Sequence, residues 1–188
     1  QSLKKKGIDV VPSFYPSLHF NQINWVPGLE PLFPLGGVSN KTTLFCNEHG
    51  NYVIYKSDRY GFNNPDSAWD STQLDWMITG DSFAQGACVN QGEGISGQIR
   101  SITGGGVVNV GSVENGPLIE LASFKEYAEP IKPKIVLWLY YEGNDFSDLE
   151  REKSSLLLLN YLQSGFSQNL IHRQIKIDNQ LDHTKKIL

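Results

Sequence analysis

Apolar residues in this chain gather into three short runs, each closed by glycine or polar residues. Trp76 to Ile78 is broken by Gly80, Val107 to Val110 by Gly111, and Ile135 to Tyr141 by Glu142-Gly143-Asn144-Asp145. Apolar runs of this length between turn signals predict buried strands. Helical patterns lie between them. Ile95, Ile99 and Ile102 recur at i, i+4 and i+7, which predicts a helix over 95–102 with these three on one face, ended by Gly104-Gly105-Gly106. Pro117 stands at a first helical position, and Leu118, Leu121, Ala122 and Lys125 share a face that Ile119 and Tyr127 widen. This second helix is expected to stop before Pro130. Strand, helix, strand, helix, strand at this spacing predicts a parallel βαβαβ unit of an α/β fold. Right-handed crossovers then bring the strand ends, and with them Ser82, Gly111 and Asn144, to one edge of the sheet.

The flanks read differently. Residues 1–34 are rich in proline and aromatics without steady periodicity, and Pro12, Pro16, Pro27, Pro31 and Pro34 forbid long helices there. They predict an extended arm, closed by the turn Pro34-Leu35-Gly36-Gly37. Thr42 to Cys46 and Tyr52 to Lys56 are β-prone and flank Asn47-Glu48-His49-Gly50-Asn51, which predicts a hairpin. Asp58 to Asp66 reads as an irregular loop. The pattern from Ser147 onward is helical, and Leu156 to Leu159 is an apolar run expected in the core. No internal repeat is present. The division that follows is an N-terminal arm and hairpin over 1–70, packed on an α/β core over 71–188.

Composition narrows the partners more than the fold. The 188 residues suffice for one domain with a sizeable core, and contents of 39% hydrophobic and 19% charged residues are ordinary for a globular protein. A net charge of −4 argues against a nucleic-acid partner, and Lys4-Lys5-Lys6 is the one basic cluster. No run has the length of a membrane span and no signal peptide is visible. Cys46 and Cys88 lack metal-ligand spacing and read equally as free thiols or a disulfide. The four histidines form no H-x-x-x-H pattern, so no metal site is expected.

The chemistry gathers at Gly80-Asp81-Ser82. A serine just past the carboxyl end of a buried strand is exposed on a rigid scaffold, where ligands of open α/β sheets collect. The plainer alternative is a turn whose serine caps a helix. Acyl transfer needs a nucleophile, a base and donors for the developing oxyanion. Ser82 supplies the oxygen, and the Ser82 N–H, the Gly111 N–H and the Asn144 amide are candidate donors. A glycine lets a substrate oxygen approach its amide closely, and an asparagine amide donates without charge at every working pH. Asp81 reads as a structural residue bonding loop amides, and Asp145 and Asp148 as helix-start residues. Glu142 is a candidate supporting group facing the pocket. Trp138, Tyr140 and Tyr141 divide between core and site wall.

Gly80-Asp81-Ser82 with Gly86 resembles block I of the SGNH (GDSL-type) hydrolase superfamily. Asn109-Val110-Gly111 followed by Gly116-Pro117 resembles its block II, and Gly143-Asn144-Asp145 its block III. The likeness covers about Leu74 to Asp148, and the segments Cys46-Asn47-Glu48 and 58–65 are similar to bacterial envelope-associated members. The resemblance implies a flavodoxin-like three-layer α/β/α sandwich without metal or organic cofactor. It implies ester hydrolysis, or acyl transfer to and from carbohydrates, through an acyl-serine, with Ser82 as nucleophile and Ser82 N–H, Gly111 and Asn144 as the oxyanion hole. Its expected substrate is a small ester or an acylated carbohydrate or lipid, and its expected location the cell envelope or periplasm.

The departure is the general base. Family members carry Asp-x-x-His or a variant near the C-terminus, and no Asp-x-x-His occurs here. Asp182-His183 has the wrong spacing, His172 follows block III too soon, and His19 and His49 lie far upstream. The expectation is a fragment cut before its catalytic histidine and nearly inactive alone. A transferase, or a non-catalytic domain that kept the fold, are the alternatives. A phosphate binder is disfavoured because Gly80 to Gly86 contains neither G-x-G-x-x-G nor a P-loop pattern.

Overall fold

The structure is a computed structural model that describes residues 7, 9–20, 32–48 and 51–187. It is a mixed α/β fold with two small sheets. The first holds β1 (Val11–Pro12), β2 (Thr42–Glu48) and β3 (Asn51–Lys56) in that order. β2 and β3 form the expected antiparallel hairpin, with a bulge between Leu44 and Cys46, and the arm adds β1 parallel to β2. Cys46 and Cys88 form a disulfide, which settles the choice left open by their spacing and ties this hairpin to the segment after Ser82.

The second sheet has the order β5-β4-β6, built from β4 (Trp76–Gly80), β5 (Val107–Asn109) and β6 (Ile135–Leu139). Both pairings are parallel, with Met77 opposite Val108 on one side and Val136 on the other. Alternation along β4 divides the apolar residues between the two faces. Met77 and Val108 join the larger core with Leu118, Ile119 and Ala122, whereas Ile78 and Val107 form a second cluster with Ala84 and Ile99. The arm belongs to the larger core as well, since Phe14, Leu32, Phe33, Leu35 and Val38 are buried in it.

The helices are α1 (Ser82–Gln85), α2 (Ile95–Thr103), α3 (Pro117–Ser123), α4 (Glu129–Ile131), α5 (Asp145–Glu152), α6 (Leu156–Asn160) and α7 (Gln174–Ile187). Four expectations are corrected. The buried residues of α2 are Ser96 and Gly97, while Ile95 is exposed and Ile102 is 81% exposed, so of the three isoleucines only Ile99 packs against the second cluster. Gly97 lies so close to the backbone of Gly92 that the helix seats on its small residues instead of its isoleucines. The second helix does not stop before Pro130. A π turn over Phe124–Ala128 joins α3 to α4, with the Glu129 N–H bonded to the Phe124 carbonyl, and the helical path continues through Pro130 to Ile131. In the run Leu156 to Leu159, Leu158 is fully buried but Leu156 is 80% exposed. β6 also ends at Leu139, which leaves Tyr140 and Tyr141 outside the sheet.

Candidate active site

β4 ends in a turn that only glycine makes easily. Gly80 has φ +150°, and a Cβ there would lie 2.8 Å from Ala84 Cβ and 2.8 Å from the Leu139 carbonyl oxygen. The chain turns directly into α1. Asp81 is its N-cap, accepting the Phe83 N–H at 2.9 Å through Oδ1, which is the structural role expected of it. Ser82 is the first helical residue and is half-buried. Neither its Oγ nor its N–H has a hydrogen-bond partner among the described residues.

The loops after the three strands meet around this turn. The Asn115 amide and the Ser112 N–H donate to the Gly80 carbonyl, at 3.3 Å and 3.2 Å. The Val113 N–H reaches Gln85 Oε1 at 2.7 Å. From the other side, Phe83 and Tyr141 stack with ring centroids 4.9 Å apart, which joins α1 to the loop carrying Asn144. Both rings are exposed, at 58% and 46%. Tyr140 and Phe146 add a second exposed pair, 6.0 Å apart, so the aromatics after β6 lie at the surface of the site. Glu142 is exposed on the same loop and has no hydrogen bond or ion pair among the described residues.

Gly111 is not the free donor that the sequence suggested. Its N–H is already donated to Asn109 Oδ1 at 2.9 Å, and the residue is buried. A Cβ on it would lie 2.6 Å from Ala84 Cβ, so its lack of a side chain admits α1 and not a substrate oxygen. The N–H groups of Ser112, Val113, Asn115 and Gly116 are likewise taken within the protein. The N–H of Glu114 is the one in residues 111–116 without a partner among the described residues, and Glu114 is held at φ +62°. Sequence reasoning passed over it because no residue type marks a glutamate for a left-handed backbone.

Asn144 lies at the N-terminus of α5, half-buried, with Nδ2 donating to Asp148 Oδ2 at 3.0 Å. Around it lie buried acids that the sequence did not single out as a group. Glu120 Oε2 accepts the Trp138 indole N–H at 2.6 Å, and Asp145 Oδ2 accepts the Tyr141 N–H at 2.6 Å. Burial pushes Glu120 up to about 8, and the nearby charges of Asp145, Glu152 and Asp81 add to the shift. Burial also raises Asp145, with Asp81 and Asp148 contributing. Glu152 spans the N-terminus of α3, accepting the N–H groups of Gly116 at 2.6 Å and Leu118 at 2.8 Å. Burial still lifts it to about 7.

No described side chain stands as the base. His172 is exposed, in a 3-10 turn far along the chain, and its imidazole has no hydrogen bond or ion pair among the described residues. His49 and the side chains of His19 and His183 lie outside the described residues. Among the described residues, no three His, Cys, Asp or Glu side chains are grouped to hold a metal ion. No described helix is long and apolar enough to cross a membrane. Comparison with family models, with curated proteins and with solved structures returns no match for this chain.

Proposed function

We propose that this chain carries the nucleophile and oxyanion donors of a serine esterase of the SGNH hydrolase type. The observation that carries the reading is Ser82 itself: half-exposed at the carboxyl end of the central parallel strand, with both its Oγ and its N–H unpartnered among the described residues. Ser82 Oγ attacks an ester carbonyl, and the alcohol leaves as the acyl-serine forms. Water then attacks the acyl-serine, the acyl group leaves as the carboxylic acid, and a proton from that water restores the Ser82 hydroxyl. The Ser82 N–H and the Asn144 amide meet the oxyanion, and Gly111 is replaced in that role by no assigned group. The base is assigned to no described side chain.

The sheet order supports the finer fold reading. β4 lies between β5 and β6, so its two neighbours are reached by crossovers in opposite directions, the arrangement that opens a ligand crevice in doubly wound sheets. The outer edge of β6 is unpaired among the described residues, which leaves room for the further strand of a three-layer α/β/α sandwich. The disulfide supports an oxidising compartment such as the periplasm. The exposed aromatics beside Ser82 suit a small ester or acylated carbohydrate, and the same site serves an O-acyltransferase if a sugar hydroxyl replaces water.

The test is hydrolysis of p-nitrophenyl acetate and labelling by a fluorophosphonate, with mass spectrometry locating the label. Ser82→Ala should abolish both, and Asn144→Ala should lower turnover about a hundredfold or more. Labelling elsewhere, or a rate indifferent to Ser82→Ala, sinks the covalent mechanism. Adding a sugar acceptor separates transfer from hydrolysis by product.

A further inference from the structure

We propose that Asp148 is a positioning residue for the acyl transfer, holding the Asn144 carboxamide with its NH2 end committed to donation; this rests on the reading of Asn144 as an oxyanion donor. Asn144 stands at the N-terminus of α5, where an asparagine ordinarily turns its oxygen onto the helix N–H groups. Here it makes no such cap, and its Oδ1 is buried without a partner among the described residues. Its nitrogen is instead drawn to Asp148 Oδ2, one turn along the helix, at 3.0 Å. A carboxylate only accepts, so rotating the amide by half a turn would set oxygen against oxygen. One amide hydrogen is used in this bond and the other stays available to a ligand.

Asp148 is itself fixed. It is buried, lies in the first turn of α5 where the helix dipole favours its charge, and is gripped through Oδ1 by Arg151 Nη2. Arg151 Nη1 reaches Glu114 Oε2 at 3.9 Å, and that oxygen accepts the Ser17 hydroxyl at 2.6 Å. The orientation of the amide is thus tied to the loop after β5 and to the arm. The abandoned cap is a local cost that packing alone does not require, the kind of departure expected where function sets the geometry. If Asp148 is removed, Asn144 is free to turn its oxygen to the helix and become an ordinary cap.

That relaxation makes a sharp test. In the full chain, with the Ser82→Ala rate subtracted, Asp148→Ala should lower kcat on p-nitrophenyl acetate roughly tenfold or more while KM stays within about twofold. The Tm should hold or rise, because a cap is gained where an ion pair is lost. The double variant Asn144→Ala/Asp148→Ala should be no slower than Asn144→Ala alone. Asp148→Asn keeps the size and one acceptor oxygen and should lose less than alanine. By NMR, the Asn144 carboxamide protons should exchange slowly in the parent and quickly in Asp148→Ala. Wild-type kcat in Asp148→Ala, losses that add in the double variant, or unchanged carboxamide exchange would each overturn the proposal. If there is neither a Ser82-dependent rate nor fluorophosphonate labelling of Ser82, the esterase reading falls, and carboxamide exchange alone decides whether Asp148 holds Asn144.

Discussion

Two buried polar networks flank the central sheet, and they are built on opposite terms. The one around Asp58 is saturated. Its Oδ1 accepts the N–H groups of Tyr60 and Phe62, each at 2.9 Å, and its Oδ2 accepts Asn64 Nδ2 at 2.8 Å and Trp69 Nε1 at 2.7 Å. Asn64 passes the network on, accepting Arg100 Nη2 at 2.7 Å and the Asn109 N–H at 2.9 Å, and donating to the Asn109 carbonyl at 2.8 Å. Asn109 in turn reaches the Ala84 carbonyl and the Gly111 N–H. The acids beside Ser82 are undersupplied. Asp81 Oδ2, Glu120 Oε1 and Asp145 Oδ1 are buried without a hydrogen-bond partner among the described residues, and the charges of Asp145 and Asp81 add to the burial that disfavours ionisation of Glu120. A buried carboxylate with four donors is a scaffold, whereas neighbouring acids short of donors hold unfavourable energy that a purely structural site has no reason to keep.

The severest way to break this contrast is Asp58→Ala. It strands the Trp69 indole and two backbone N–H groups in the interior, and should cost about 3–5 kcal/mol in urea unfolding. A loss below 1 kcal/mol, measured the same way, would mean that the network is not the scaffold described.

The disulfide comes next. It joins the hairpin to the segment after α1 across 42 residues, so Cys46→Ala/Cys88→Ala should lower stability by about 2–4 kcal/mol through the freer unfolded chain. The same urea midpoint, compared with and without reductant, checks it; indifference of the parent to reductant would refute it.

Titration sharpens the contrast on the other side. Burial lifts the Glu120 carboxyl to about 8, well above the ordinary range of a glutamate. The folded protein therefore holds a proton that the unfolded chain has released, and stability falls as pH rises across that interval. Glu120→Gln, which imitates the neutral acid, should match the parent near pH 4 and exceed it above pH 8, with the gap opening between. Thermal melts across this range read it directly, and parallel curves would show that Glu120 titrates normally. Glu152 must behave differently although burial also raises it, because a glutamine there would turn an NH2 toward the backbone N–H groups of α3.

The smallest expected change in stability belongs to the proposed nucleophile. Ser82→Ala removes a half-exposed hydroxyl without a partner among the described residues, and should shift unfolding by no more than about 0.5 kcal/mol. A larger loss would place Ser82 in the scaffold and blur the division between the two networks.

Sequence pattern alone located the three parallel strands, the loops carrying Ser82 and Asn144, and the hairpin, because short apolar runs closed by glycine report burial and turning within a few residues. It placed α2 almost to the residue but not its orientation: Gly97 on the Gly92 backbone, not the isoleucine spacing, decides which side is buried. It marked Pro130 as a stop, and the π turn before it carried the helix through. Tertiary structure alone decided that Gly111 makes room for α1, that Glu114 keeps the loop's free N–H, and that Asn144 answers to Asp148 instead of capping its helix. It also turned the irregular stretch 58–66 into a hub, through bonds from Asn64 to Asn109 that span 45 residues. The physical reason is range. Periodicity records whether a residue faces water or core, whereas a hydrogen bond between distant loops depends on where folding brings two directional groups, and no local spacing encodes that meeting.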